Sequence, residues 1–161
     1  MSIDAASYRR IVGQFATGVC IVTTAFDGRL HGMTANAITS VSLDPLLLLV
    51  CVDKQAHAHE QLTKSGRFAV NILTAEQEEA SNTFAAPTEP EEGRLQGVRY
   101  RLGLSGAPLI EGCLAYIECA VVDRCAGGDH TIFIGEALDG EIVSEASPLL
   151  FYQGGYRRLA E

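Results

Sequence analysis

Short apolar segments rich in β-branched residues, separated by turn dipeptides, limit how this chain of 161 residues can fold. Residues 19–26 form one such segment, and Asp27-Gly28 after them favours the tight turn of a β-hairpin. Gly127-Gly128 stands in the same way between two further β-rich segments, 113–122 and 131–138. We predict about six or seven strands without βαβ alternation. This pattern favours a mainly β, antiparallel barrel over a doubly wound parallel sheet.

Three short helices are predicted besides the strands. Four apolar side chains near the N-terminus follow the spacing i, i+3, i+4 and i+7, namely Tyr8, Ile11, Val12 and Phe15. That spacing predicts a helix with one apolar face, ending near Gly18. A second helix is expected over residues 56–64, ended by Gly66. A third is expected over residues 75–84, because Thr74 and Gln77 match a capping box.

Two segments complete the predicted organisation. Residues 46–52 are apolar throughout, which predicts a strand that crosses the core and is buried on both faces. Residues 86–99 contain Pro, Gly and acidic residues without an apolar period, which indicates a long loop. The length and the ordinary balance of 47% hydrophobic and 20% charged residues predict a single domain over residues 1–161.

Charge and composition exclude several classes of partner. The formal net charge of −8 argues against binding nucleic acid or an anionic membrane surface, because both require clustered Lys and Arg. No apolar run is long enough to span a membrane, and the first ten residues lack a signal-peptide pattern, so we expect a cytoplasmic protein. The five cysteines are odd in number and form no Cys-x-x-Cys pair, so buried free thiols and no metal site are expected.

Common catalytic and nucleotide-binding motifs are missing from the sequence. There is no G-x-G-x-x-G after a strand, no G-x-x-x-x-G-K-[ST], no H-E-x-x-H and no G-x-S-x-G. Residues 32–45 are more informative, because small polar residues at 34, 36, 40 and 42 fall on one side of an extended chain. Such a surface lets backbone groups approach a planar heterocycle, although a half-solvated strand would have the same pattern.

Six segments in order give the chain a resemblance to a known family. They are residues 15–19 (FATGV), 32–45 (GMTANAITSVSLDP), 50–54 (VCVDK), 68–73 (FAVNIL), 128–136 (GDHTIFIGE) and 149–152 (LLFY). Together they resemble the short-chain flavin reductases, and Gly128-Asp129-His130 is the most diagnostic triplet. The resemblance implies the FMN-binding split-barrel fold, a six- to seven-stranded antiparallel split β-barrel of Greek-key type.

The resemblance also implies an activity. Members of this family use NADH or NADPH to reduce FMN or FAD by hydride transfer, and they supply reduced flavin to a separate monooxygenase component. They are typically homodimers. Two alternatives stay open: a non-catalytic flavin-binding protein, which would not need the Gly-Asp-His triplet, and another split-barrel flavin oxidase, for which we would expect several basic residues in the pocket segments.

The resemblance also implies, segment by segment, which residues of this chain form the site. Those implied to contact the flavin ring system are Met33, Thr34, Ala35, Asn36, Thr39, Ser40, Val50, Cys51 and Val52. Lys54 and Gln55 begin the turn that meets the flavin phosphate, but the common pattern has serines near the positions of Gln55 and His57. Phe84 and Ala85 are implied to lie close to the flavin. His130 is implied to position the nicotinamide, and Tyr152 to border the same pocket.

Overall fold

The computed structural model describes residues 2–160 and is mainly β-sheet. Its strands are β1 (Thr17–Gly18), β2 (Cys20–Phe26), β3 (Arg29–Ala35), β4 (Ile38–Leu43), β5 (Leu46–Asp53), β6 (Arg67–Ile72), β7 (Glu91–Glu92), β8 (Tyr100–Leu102), β9 (Pro108–Ile110), β10 (Ala115–Gly127), β11 (His130–Ile142), β12 (Leu150–Tyr152) and β13 (Gly155–Arg157). The helices are α1 (Ala5–Val12), α2 (His57–Ser65), a 3₁₀ turn (Ala75–Gln77) and α3 (Glu78–Ala85).

Eight strands form one sheet in the order β4-β5-β11-β10-β6-β2-β3-β7, and every pair in it is antiparallel. Strands β1, β12 and β13 form a second sheet, and β8 pairs with β9. The predicted fold class, mainly β and antiparallel with short helices, is confirmed. The open strand order suits a split barrel. The strand count was too low, because strands of two or three residues are too short to show an alternating pattern.

Two hairpins set the frame of the sheet. The turn between β2 and β3 is Asp27-Gly28, as predicted, and both residues have positive φ, 51° and 73°, as a primed turn requires. The β10–β11 hairpin turns at Gly128-Asp129, one residue later than predicted. Its strands have 13 residues each and continue beyond the apolar segments, because ladder pairing also holds their polar, exposed ends.

Strand β5 is less buried than its sequence predicts. Val50 and Val52 are fully enclosed, but Leu46 is 53% exposed and residues 47–49 are only partly buried. The prediction of a strand buried on both faces is therefore wrong. The reason lies in the topology, since β5 has only β4 beyond it at that end of the sheet.

The helices follow the predictions unevenly. Helix α2 ends at Gly66, whose φ of 65° is the expected left-handed cap. The third helix begins with a 3₁₀ turn, in which the Gln77 side chain accepts from the Thr74 N–H at 3.1 Å. Helix α1 ends at Val12, well before Gly18, because Thr17 and Gly18 pair with β12 instead. None of its residues is buried, so its predicted apolar face is exposed.

Two apolar clusters flank the strands. One packs α2 against the sheet through Val22, Val50, Leu62, Phe68 and Phe133. The other packs α3 and the following loop against the opposite side through Ile21, Leu73, Phe84, Leu95 and Leu149.

The cysteines are free, with Cys20, Cys113 and Cys119 buried as predicted, whereas Cys51 is half-buried and Cys125 is exposed. Within residues 2–160, the helices are too short or too polar to cross a membrane.

Candidate active site

A cleft of about 530 Å³ opens where β3, the end of β5, the start of α2, the end of α3 and the β10–β11 turn meet. One wall is the chain from residue 31 to residue 37, and the segment from residue 84 to residue 88 also lines the cleft. Cys51, Asp53 and His130 belong to the neighbouring strands β5 and β11. The hairpins and helices thus bring together segments that are far apart in the sequence.

Small residues keep the β3 wall close to α3. A Cβ on Gly32 would lie 3.0 Å from the Phe84 ring and 3.2 Å from Ile21, so a larger residue would push the two elements apart. The Thr34 hydroxyl donates to the Ser81 carbonyl at 2.6 Å, and the Ser81 hydroxyl pairs with the Tyr156 hydroxyl at 2.6 Å. Thr34 therefore ties the wall to α3. The neighbouring Asn36 side chain makes no such tie and is exposed.

Strand β5 contributes alternate residues to the cleft. Cys51 and Asp53 line it, whereas Val50 and Val52 lie in the core. The Cys51 N–H donates to the Ala37 carbonyl at 3.1 Å, which joins this strand to the β3 wall. Burial raises the pKa of the Cys51 thiol, so it lies in the cleft as a neutral, small apolar group.

A carboxylate holds the imidazole of His130. The side chains of Asp129 and His130 meet at 2.7 Å through Oδ1 and Nδ1. Because a carboxylate only accepts, Nδ1–H is the donor, and Nε2 is the nitrogen left for a ligand. The same bond and the charge of His130 lower the pKa of Asp129. Lys54 supports this turn, since its backbone N–H donates to Asp129 at 3.0 Å and its Nζ donates to the Gly128 carbonyl at 2.6 Å.

Two histidines stand at the end of the cleft where α2 begins. Nε2 of His57 and Oε1 of Glu89 form an ion-pair contact at 2.9 Å. The ring of His31 lies edge-on to that of His57, with the centroids 6.4 Å apart. His31 is only 4% exposed. Burial above all, and then the charge of His57, lower the pKa of His31 to about 4, while Glu89 acts in the opposite direction.

The cleft collects most of the residues that the resemblance implied. Those lining it are Met33, Thr34, Ala35, Asn36, Cys51, Gln55, Phe84, Ala85 and His130. The other implied residues lie outside it: Thr39 is exposed on β4, Ser40 lines a separate apolar groove, Val50 and Val52 are in the core, Lys54 is bound to the β10–β11 turn, and Tyr152 contacts Gln14. The roles of all these residues stay predictions.

Several lining residues were not singled out from the sequence. They are His31, Gly32, Ala37, Asp53, Ala56, Ala86, Pro87 and Thr88, besides His57, which was noted only as a departure from the family pattern. His31 occupies a strand position with no distinguishing local pattern. Residues 86–88 belong to a loop, and the composition of a loop does not indicate which part of the fold it packs against. Gly32 is adjacent to the implied segment, so continuity with Met33 could have suggested it.

The lining fits a flavin. The volume lies in the range of small-molecule sites, and the small residues let backbone donors and acceptors approach a flat ring. The buried Nδ1 of His31 has no hydrogen-bond partner in the described chain. His130, on the strand beside Asp53, presents a polar group to the same cleft.

Comparisons with known proteins agree with this geometry. The family described as "Flavin reductase like domain" matches residues 12–160. An NADH-dependent FAD reductase of Streptomyces globisporus is 44% identical over 98% of this chain and 87% of its own length. The reductase subunit HsaB of a flavin-dependent monooxygenase of Mycobacterium tuberculosis is 38% identical over 96% of this chain and 82% of its own length.

Similarity extends to solved structures. The NADH:FAD oxidoreductase SgcE6 of Streptomyces globisporus, in complex with NAD and FAD fragments, aligns with a TM-score of 0.90 at 44% identity. That alignment covers 98% of this chain and 93% of that chain. The predicted family is therefore confirmed, and the chain belongs to the flavin reductase family.

Proposed function

We propose that this chain, as a single domain over residues 1–161, is an NAD(P)H:flavin oxidoreductase that reduces FMN or FAD by hydride transfer. The observation that carries the proposal is the single cleft that joins the small-residue segment 32–37 to His130. The relatives named as NADH-dependent FAD reductase and as monooxygenase reductase subunit support the same function. NADH and FAD are accordingly the first pair of substrates to test.

The chain's own residues act by positioning. The nicotinamide and the flavin themselves supply the hydride chemistry when they are bound. The small residues of the β3 wall and Cys51 form a close, partly apolar surface for one flat ring and exclude water from it. Asp129 fixes the imidazole of His130, so that Nε2 can bind the nicotinamide nucleotide over that ring. No general acid or base is required for the hydride step.

We further propose a role for each site residue from its place in or near the cleft. The ring-contacting set is Met33, Thr34, Ala35, Asn36, Cys51, Phe84 and Ala85, with His130 on the nicotinamide side. Thr34 acts through its backbone, because its hydroxyl is already bound to Ser81. Lys54 acts through the β10–β11 turn that it holds. Any contribution of Val50 or Val52 comes from the strand backbone, since their side chains are fully buried.

Purified protein mixed with NADH or NADPH and with FAD, FMN or riboflavin tests the proposal by nicotinamide absorbance. We expect oxidation well above the protein-free rate with at least one pair. If no pair exceeds that rate while the protein still binds flavin, the chain is a flavin-binding protein and not a reductase.

Partners follow from the same function. We propose that reduced flavin passes to a separate flavin-dependent monooxygenase in the cytoplasm, in keeping with the relatives named as reductase subunits. We also propose a homodimer. Its support is an apolar groove of about 410 Å³ on β4, β5, β10 and β11, lined by Leu43, Leu46, Leu47, Leu48, Ile117 and Leu138. An exposed groove of this composition is typical of a surface that another chain covers.

A further inference from the structure

The histidine proposed for the nicotinamide side stands where burial does little to orient it. His130 is the first residue of β11, directly after the hairpin turn, and 41% of its side chain is exposed. Asp129, the carboxylate that holds its Nδ1, is itself 89% exposed. A ring on such a turn is held precisely only if packed elements fix the chain beside it. The contacts that do so therefore bear on nicotinamide binding.

The chain before His130 is held by the turn that follows β5. The Lys54 N–H donates to the Asp129 carbonyl at 3.0 Å, and Lys54 Nζ donates to the Gly128 carbonyl at 2.6 Å. His130 itself stands opposite Asp53 in the ladder between β5 and β11. These contacts set the backbone on the turn side of His130.

The chain after His130 has a second support, which comes from α2. Nε2 of His59 and the Thr131 hydroxyl form a hydrogen bond of 2.8 Å. The His59 ring also packs edge-on against the Phe133 ring, with the centroids 5.5 Å apart. Side chains alternate along a strand, so Thr131 and Phe133 face α2 on the side of β11 opposite to His130. The strand is thus held from behind, directly next to the residue that lines the cleft.

Helix α2 is a firm anchor for that support. Ala58 and Leu62 are 3% and 1% exposed and belong to the apolar cluster that packs α2 against the sheet. His59 lies between them along the helix and is half-buried. A group on a packed helix holds its partner more precisely than a group on a loop does. His59 therefore connects the packed core to the residue that follows His130.

We propose that His59 is a positioning residue for the nicotinamide: through Thr131 it fixes the start of β11, and thereby the imidazole of His130. Neither His59 nor Thr131 is among the residues of the described chain that line the cleft, so the pair acts on the substrate through His130. The inference rests on the proposed function and on the role of His130 within it. A looser β11 misplaces the His130 ring and weakens nicotinamide binding, whereas the flavin on the β3 wall is unaffected.

Thr131→Val tests the proposal, because it keeps the shape of the side chain and removes the hydroxyl. We expect the nicotinamide KM to rise about 3- to 5-fold, the size of one lost hydrogen bond, with the flavin Kd unchanged. Steady-state kinetics measure the KM, and flavin fluorescence measures the Kd without turnover. Thr131→Ser retains the hydroxyl and should keep the wild-type KM.

A double-mutant cycle separates positioning from a general loss of structure. In the His130→Ala protein the positioned ring is gone, so adding Thr131→Val should change the nicotinamide KM by less than about 1.5-fold. His59→Ala should raise that KM as Thr131→Val does. His59→Gln should raise it less, because the amide can still bond to the Thr131 hydroxyl.

Thr24→Val is the matched control, because it removes a threonine hydroxyl from the same sheet. That hydroxyl donates to the Arg67 carbonyl at 2.7 Å, and Thr24 does not line the cleft. Both constants should therefore keep their wild-type values. Circular dichroism verifies that each variant is folded.

Two results would overturn the proposal while the proposed function stands. One is a wild-type nicotinamide KM in Thr131→Val, and the other is an equal rise in that KM with and without His130. If the wild-type protein oxidises neither NADH nor NADPH with any flavin, the proposed function itself fails, and the positioning role falls with it.

Discussion

His130 and His31 have opposite environments, although both imidazoles line the same cleft. His130 has a carboxylate on Nδ1 and keeps part of its ring accessible. His31 is buried, has no partner on Nδ1 and has its pKa lowered to about 4. Burial and partner, rather than residue type, therefore decide that one histidine can bind a ligand while the other forms a neutral wall.

His130→Ala should raise the KM for the nicotinamide nucleotide more than the KM for the flavin. The reason is that His130 lines the cleft from the start of β11 and not from the β3 wall. Steady-state kinetics with each substrate varied in turn measure the two constants. Asp129→Asn should give a smaller change in the same direction, because it weakens the hold on Nδ1 without removing the ring. An unchanged nicotinamide KM in His130→Ala would remove that residue from the site.

Acidification should destabilise the protein through His31. Its folded pKa, about 4, lies below the ordinary 6.5, so the unfolded chain binds the proton more readily between these values. Stability contributed by the neutral ring is present above pH 6.5 and is lost as the pH falls toward 4, by up to about 3 kcal/mol. Urea unfolding at pH 7.5 and pH 5 measures this loss. In His31→Gln the loss should be smaller, and an equal loss in both proteins would contradict the assignment.

At the scale of elements, the short segment 103–106 is held to the sheet by one buried carboxylate. Glu118 on β10 is 1% exposed and accepts from the backbone N–H of Leu104 at 3.1 Å, from that of Ser105 at 2.8 Å and from the Ser105 hydroxyl. Gly103 leaves the room for this, since a Cβ there would collide with the carboxylate. A charged side chain in the core is thus tolerated because its oxygens are hydrogen-bonded.

Glu118→Ala should lower the free energy of unfolding by about 2–4 kcal/mol, because it removes a fully buried side chain and leaves two backbone N–H groups without their acceptor. Chemical denaturation measures the change. Glu111→Ala is the matched control: Glu111 is an exposed acid that forms a 3.4 Å ion pair with Arg99, and its loss should cost about 0.5 kcal/mol or less. Equal losses in the two variants would show that Glu118 does not hold the segment.

At the scale of the whole molecule, several large apolar side chains are exposed on strands of the large sheet. Leu43 is 83% exposed and Ile142 is 80% exposed, and Leu46 and Leu138, which line the apolar groove, are about half exposed, at 53% and 49%. Helix α1 also leaves its apolar face uncovered, with Ile11 at 60%. A single chain gains nothing from exposing so much aliphatic surface to water, and association would bury it.

Leu43→Gln should weaken the proposed homodimer, because it places an amide in the apolar groove. Light scattering coupled to size-exclusion chromatography over a range of concentrations measures the dissociation. Leu104→Gln is the control, since Leu104 is 79% exposed but lies on the segment held by Glu118 and does not line that groove. A monomer at every concentration of the wild-type protein would refute the homodimer.

The amino-acid sequence by itself determined the features that depend on neighbouring residues. Asp27-Gly28 specifies its turn because both positions need positive φ, Gly66 ends α2 for the same reason, and the ordered segments around residues 32–45 and 128–136 identify the family. The β-rich pattern also determined the antiparallel fold class.

Only the tertiary structure decided the features that depend on contacts distant in the chain. Strand β5 is half exposed because it has only β4 beyond it, and Thr17 leaves the first helix because β12 pairs with it. His31, His57 and Glu89 come from a strand, a helix and a loop, so no local pattern could unite them. Lys54 carries the charge expected near a phosphate, but its ammonium is bound to the neighbouring turn. Burial and pairing are properties of the assembled sheet, and for that reason the cleft could be predicted in part and its charges could not.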